Sequence, residues 1–162
     1  MRPYLFVGYI DDDRFWPQDK KDWEHYTELV EAVETVMPWH TVYYVALVTV
    51  NPGSRLPIHT DAGENNARHP YGLNIPIHNC KDTYTPFYRV LDPDYTAKVT
   101  NTFSKADSYY DYPEDQVEEV DRMYLTQPAF FCHQTIHSVI NPTEQLRVAL
   151  ALRFTEPIAG IE

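Results

Sequence analysis

Residues 57 to 63, PIHTDAG, place His59 and Asp61 two positions apart at the end of an apolar stretch. Side chains two apart on a strand share a face, so an imidazole and a carboxylate at this spacing can grip one ion in cis. A mixed nitrogen and oxygen donor pair suits a borderline divalent metal such as Fe(II), Mn(II) or Zn(II). The pair alone carries little weight, because seven histidines and thirteen aspartates in 162 residues yield about half an H-x-D by chance. A loop histidine beside a turn aspartate is the plain alternative.

A second chemical segment lies near the C-terminus, FFCHQTIHSVINPTEQLRVALALRF. NPTEQ reads as a turn between two strand-like runs, which predicts a hairpin with residues near 140 and 146 facing each other and His137 opposite Ala149. One face then carries His137, Val139, Arg147, Ala149, Ala151 and Arg153, and the other carries Val148, Leu150, Leu152 and Phe154 as ordinary core. A buried arginine beside two alanines needs an anion, and the alanines leave room for one.

The elements that must position these groups are mostly strands. Runs rich in Val, Tyr, Phe and Thr, punctuated by Pro and Asn, fall at 4–10, 41–50, 54–60, 71–79, 85–91, 97–103, 119–125, 129–133, 136–141 and 146–154. The spacing of Trp23, Tyr26, Leu29 or Val30 and Val33, stopped by Pro38, predicts one amphipathic helix over 20–37. Many short strands with little helix predict a β-sandwich or barrel. The acidic, Tyr-rich stretch Asp107–Asp115 reads as a mobile loop or lid. With 162 residues and 43% hydrophobic composition, the chain is expected to form one domain over 1–162. A net charge of -11 disfavours nucleic acid and anionic membrane as partners. Cys80 and Cys132 are the only cysteines, and MRPYLFVGYI runs directly into DDDR, so the simplest expectation is a cytoplasmic protein with free thiols and no membrane span.

H-x-D, a distal histidine and an arginine ten residues beyond it resemble the Fe(II)/2-oxoglutarate-dependent oxygenase superfamily on its double-stranded β-helix, a cupin-like jelly roll with one or two supporting N-terminal helices. PIHTD, LNIPIHN and HSVINPTEQLRVALALRF are most similar to its aspartyl/asparaginyl hydroxylase-like and prolyl hydroxylase-like small members, over about residues 41 to 154. The resemblance implies that His59, Asp61 and His137 hold Fe(II) as a facial triad, with three positions open for 2-oxoglutarate and dioxygen. It implies that Arg147 clamps the distal carboxylate of the cosubstrate, that Asn74 donates to one of its carboxylates, and that Arg153 lies near it. For Arg153 a salt bridge at the barrel mouth is the equal alternative, and for Asn74 the alternative is satisfaction of neighbouring backbone. His133, four residues before His137, competes on spacing for the distal ligand role; His137 is preferred because it stands ten residues from Arg147.

His25, His40, His69 and His78 read as surface or hydrogen-bonded histidines, His78 with some claim to a place behind the site. Trp16, Trp23 and Trp39 read as core or rim, and one of Tyr43 and Tyr44 as pointing into the barrel. The implied activity is hydroxylation of a C–H bond in a protein side chain or small metabolite, with 2-oxoglutarate and dioxygen consumed. Loops 62–70 and 104–118 are expected to shape the substrate pocket. Two rivals stay open: a cupin-type metal barrel acting as an isomerase or sensor, and an interaction module with a degenerate site.

Overall fold

The computed structural model describes residues 4–11, 14–17, 31, 32, 35, 42–62, 70–102 and 108–154. Fourteen strands fall among them: β1 (Tyr4–Asp11), β2 (Arg14–Pro17), β3 (Val42–Val50), β4 (Ser54–Arg55), β5 (His59–Ala62), β6 (Tyr71–His78), β7 (Thr85–Val90), β8 (Lys98–Thr102), β9 (Ser108–Asp111), β10 (Val117–Met123), β11 (Ala129–Cys132), β12 (Ile136–His137), β13 (Ile140–Asn141) and β14 (Arg147–Phe154). One sheet runs β11-β6-β14-β3-β1-β2, a second runs β10-β7-β12-β5-β9-β8, and β13 pairs with β4 in a short ribbon. Two antiparallel sheets whose successive strands cross from one to the other make a jelly roll of the double-stranded β-helix kind, as the strand-rich sequence predicts.

β14 shows why the sequence folds this way. Its alternation sends Arg147, Ala149, Ala151 and Arg153 to one side and Leu150, Leu152 and Phe154 to the other, and both sets are largely buried. Leu150, Leu152 and Phe154 join Val42 and Val45 in the largest apolar cluster, with Leu73, Ile75 and Phe130 packed against it. The opposite face looks between the sheets. There two smaller clusters, Val50 with Leu56 and Val139, and Cys80 with Leu125 and Ala149, leave a gap that becomes the site.

The predicted hairpin is not formed. β14 pairs with β3 and β6 in the first sheet, whereas β12 pairs with β5 and β7 in the second. The turn between them is real, and its geometry explains the separation. The fully buried Asn141 donates its amide to the carbonyls of Val50 (2.9 Å), Asn51 (3.2 Å) and Gln145 (2.7 Å), and its oxygen accepts from the Thr143 hydroxyl at 2.7 Å. A side chain that ties the turn to the end of β3 carries the chain from one sheet to the other. His137 and Ala149 therefore lie in different sheets and line the same cavity.

Asp107–Asp115 departs from expectation as well. Ser108–Asp111 is a strand held on both sides, by β5 and by β8, so it forms part of the sheet wall instead of a lid. The run 54–60 is divided into β4 and β5 around Pro57, which has no N–H to give a ladder. Strand β2 was not expected. Of the helix predicted over 20–37, Glu31, Ala32 and Thr35 are helical, and the Thr35 hydroxyl donates to the Glu31 carbonyl at 2.7 Å; the rest lies outside the described residues, as do His25, His40, His69, Trp23, Trp39 and the side chains of Trp16, Tyr43 and Tyr44. No helix among the described residues is long and apolar enough to cross a membrane.

Candidate functional site

β5 and β12 lie side by side with His59 and His137 as direct cross-strand partners. Their ring centroids are 4.4 Å apart, with the ring planes tilted by 48°. Asp61, two residues along β5, shares their face, and its Oδ1 is 3.7 Å from His59 Nε2. Each imidazole is oriented by the backbone: His59 Nδ1 lies 2.8 Å from the Pro57 carbonyl oxygen and His137 Nδ1 lies 2.8 Å from that of Thr135. A carbonyl can only accept, so the proton sits on Nδ1 in both rings and each Nε2 offers its lone pair. This is the arrangement metal-binding histidines use.

The charge states fit the same purpose. Burial pushes His137 down to about 4, with neighbouring His59 adding to the shift, so it is a neutral donor at physiological pH. For Asp61 burial acts upward, but the Arg153 guanidinium and the imidazoles of His59, His137 and His133 outweigh it and hold the carboxyl below its ordinary value. Two imidazole nitrogens and one carboxylate oxygen are donors that suit a borderline divalent ion. Donors at right angles around such an ion, each about 2.1 Å from it, stand roughly 3.0 Å apart. The 3.7 Å between His59 Nε2 and Asp61 Oδ1 is wider than that, and among the described residues no three His, Cys, Asp or Glu side chains are already gathered as a metal-binding group. For His59 and Asp61, holding an ion would require the two donors to close by less than an ångström.

The trio lines a cavity of about 70 Å³ between the sheets. Arg147, Ala149, Ala151 and Arg153 line it from β14, Asn74 and Gly72 from β6, and Phe131 from β11. The sequence-selected residues His59, Asp61, Asn74, His137, Arg147 and Arg153 thus all come to one cavity, whereas His78 is exposed and away from it. Phe131 closes one wall by meeting the His137 ring edge-on at 5.2 Å.

The two arginines differ. Arg153 Nη2 donates to Asp61 Oδ2 at 2.5 Å, which is the salt-bridge alternative for this residue. Arg147 has no carboxylate within ion-pair distance among the described residues. It is 3% exposed, its Nε donates to the Thr83 hydroxyl at 3.2 Å, and its Nη1 has no hydrogen-bond partner. Burial lowers its affinity for the proton, opposed by nearby Cys80. A desolvated guanidinium with an unsatisfied N–H beside a cavity is prepared for an anion.

Three groups escaped the sequence reading. Thr83 and Thr85 are buried, the first against Arg147 and the second on the cavity wall; their two-residue spacing ahead of Phe87 was the available signal. Gly72 is the third. A Cβ there would stand 2.9 Å from the Leu152 carbonyl oxygen and 3.6 Å from Arg153 Cγ, so only glycine lets β6 and β14 approach this closely. His133 was noticed as a rival ligand. It is 1% exposed, its Nδ1 is 3.8 Å from Asp61 Oδ2, and its carbonyl accepts from the Asp61 N–H at 3.0 Å.

No family model and no curated protein sequence matches this chain. Solved structures do. EvdMO1 is similar at a TM-score of 0.53 and 18% identity, covering 98% of this chain and 39% of its own. A prolyl hydroxylase from Trichoplax adhaerens, solved with a hypoxia inducible factor peptide fragment, is similar at 0.45 and 12% identity, covering 93% of this chain and 61% of its own. A cupin domain from Bordetella pertussis Tohama I is similar at 0.36 and 10% identity, covering 71% of this chain and 90% of its own. The likeness to EvdMO1 shows the fold.

Proposed function

We propose that this chain is an Fe(II)- and 2-oxoglutarate-dependent dioxygenase that hydroxylates a C–H bond of a protein side chain or small metabolite. The observation that carries the reading is Arg147: a buried guanidinium whose Nη1 lacks a partner, on the cavity that also receives His59, Asp61 and His137. A metal barrel with no anionic cosubstrate has no use for that charge, and leaving it buried without a counter-charge is costly.

In this reading His59 Nε2, His137 Nε2 and an Asp61 oxygen hold the metal. A ferrous ion held there would supply dioxygen activation for an overall reaction in which 2-oxoglutarate and the substrate C–H bond each give up two electrons to dioxygen, leaving succinate, carbon dioxide and the alcohol. Arg147 binds the distal carboxylate through its unpaired N–H, and Thr83 keeps the guanidinium in place through Nε. Ala149 and Ala151 keep the space between arginine and metal open, and Asn74 faces that space with an amide that can donate to a carboxylate. Phe131 excludes water from the His137 side. Succinate formation from 2-oxoglutarate, measured by NMR with and without Fe(II), tests the proposal. Metal-dependent succinate supports it, and its absence in folded, iron-loaded protein counts against it.

His133 favours a second reading. A third imidazole 3.8 Å from Asp61 could make a three-histidine, one-carboxylate centre whose two remaining positions are too few for a chelating cosubstrate and dioxygen together, as suits a cupin-type isomerase or sensor. Metal binding without 2-oxoglutarate binding would select it.

A further inference from the structure

The oxygens of Asp61 are not equivalent. Oδ2 accepts from Arg153 Nη2 at 2.5 Å and is 3.8 Å from His133 Nδ1, whereas Oδ1 is 3.7 Å from His59 Nε2. Both partners of the ion pair are buried, with side chains 10% and 5% exposed, so water does not compete for the contact. We propose that Arg153 is a positioning residue for Asp61: it occupies one carboxylate oxygen and turns the other toward His59 and His137, so that Asp61 offers a metal one oxygen and not two. The inference rests on the reading above, in which the trio holds a metal.

Three features of the chain support it. Arg153 and Arg147 lie on the same face of β14, six residues apart or roughly 20 Å of strand, yet the first is committed to Asp61 and the second has an open N–H. Two arginines thus divide two jobs, one for the protein's own carboxylate and one for a carboxylate that arrives. Gly72 sits directly opposite Arg153 in the ladder, and a Cβ there would fall 3.6 Å from Arg153 Cγ and 3.7 Å from His133 Cδ2. Its bare backbone gives the arginine and His133 room to meet Asp61 from one side. The ion pair also sets the Arg153 charge against that of Asp61.

A carboxylate that binds through one oxygen has a wide separation between its two infrared stretches, and one that chelates has a narrow separation. The test is the Co(II)-loaded minus apo infrared difference spectrum of the full chain labelled with 13C-aspartate, for wild type, Arg153→Met and Arg153→Lys. Wild type should show the wide separation, Arg153→Met the narrow one, and Arg153→Lys, which keeps a cationic donor, should return toward wild type. Should Arg153→Met fail to fold, Arg153→Gln is measured instead, with an intermediate separation expected. Equal separations in wild type and any folded neutral variant overturn the positioning role alone. Absence of Co(II) binding by wild type overturns the metal-site reading, and the positioning role with it.

Discussion

Arg147→Met removes the charge that the cavity presents to an anion while keeping a long apolar side chain in its place. Arg147 is 3% exposed, its Nη1 has no hydrogen-bond partner, and its Nε donates to the neutral Thr83 hydroxyl. A carboxylate brought there forms a charge-assisted, desolvated pair, and truncating one side of such a pair costs about 2–5 kcal/mol. That corresponds to a loss of roughly 30-fold to several thousand-fold in 2-oxoglutarate affinity. The same geometry fixes the effect on folding. Because no carboxylate in the described protein relies on this guanidinium, its removal breaks no internal ion pair, and the apo variant should be at least as stable as wild type. Calorimetric titration of 2-oxoglutarate into Mn(II)-loaded wild type and variant, with thermal unfolding of both apo proteins, reads the two effects separately. Mn(II) affinity should stay within about threefold, since Arg147 is no metal donor. Equal 2-oxoglutarate affinities would refute the role of Arg147, and a sharp fall in apo stability would show that the guanidinium has an internal partner.

Substitution of His59, Asp61 or His137 by Ala should abolish metal-dependent succinate formation in a folded protein, whereas His133→Ala should retain it; the reverse result for the last two histidines would reassign the distal ligand. Filling the cavity by Ala149→Leu should weaken 2-oxoglutarate by about 1–3 kcal/mol, or roughly 5- to 150-fold, with metal binding unchanged, as calorimetry would show. His137 titrates near 4 in the fold against about 6.5 unfolded. Its depressed value means the unfolded chain takes the proton first, so apo stability is full above pH 6.5 and declines as pH falls toward 4, by about 3 kcal/mol in all. Asp61, also depressed, adds a loss of the same sign at still lower pH. Urea midpoints of wild type and His137→Gln between pH 4 and 7 would show the decline in the first and a flatter profile in the second.

The His59–Asp61 pair and the arginine face were legible because both depend on strand parity, which is local, whereas His137 entered through the family resemblance. His59 and Asp61 share a face whatever their strand pairs with, and so do Arg147, Ala149, Ala151 and Arg153. Pairing is not local. NPTEQ signals a turn equally well whether the flanking strands join each other or part to different sheets, and the deciding contact is Asn141 against the carbonyls of Val50 and Asn51, some ninety residues earlier in sequence. Ser108–Asp111 read as a loop because it is polar, yet a strand flanked by β5 and β8 draws its stability from ladder hydrogen bonds that composition does not reveal. Arg153 was open between two roles because either follows from its face; only the position of Asp61 across the gap decides what its guanidinium meets.

The central claim is that one cavity takes a divalent metal and 2-oxoglutarate together. Anaerobic titration of Fe(II) and then 2-oxoglutarate into the apo protein, followed in the visible region, tests it most directly. The account predicts a metal-to-ligand charge-transfer band that saturates at one 2-oxoglutarate per chain and is absent in His137→Ala. A protein that binds Fe(II) but gives no band at saturating 2-oxoglutarate would contradict it.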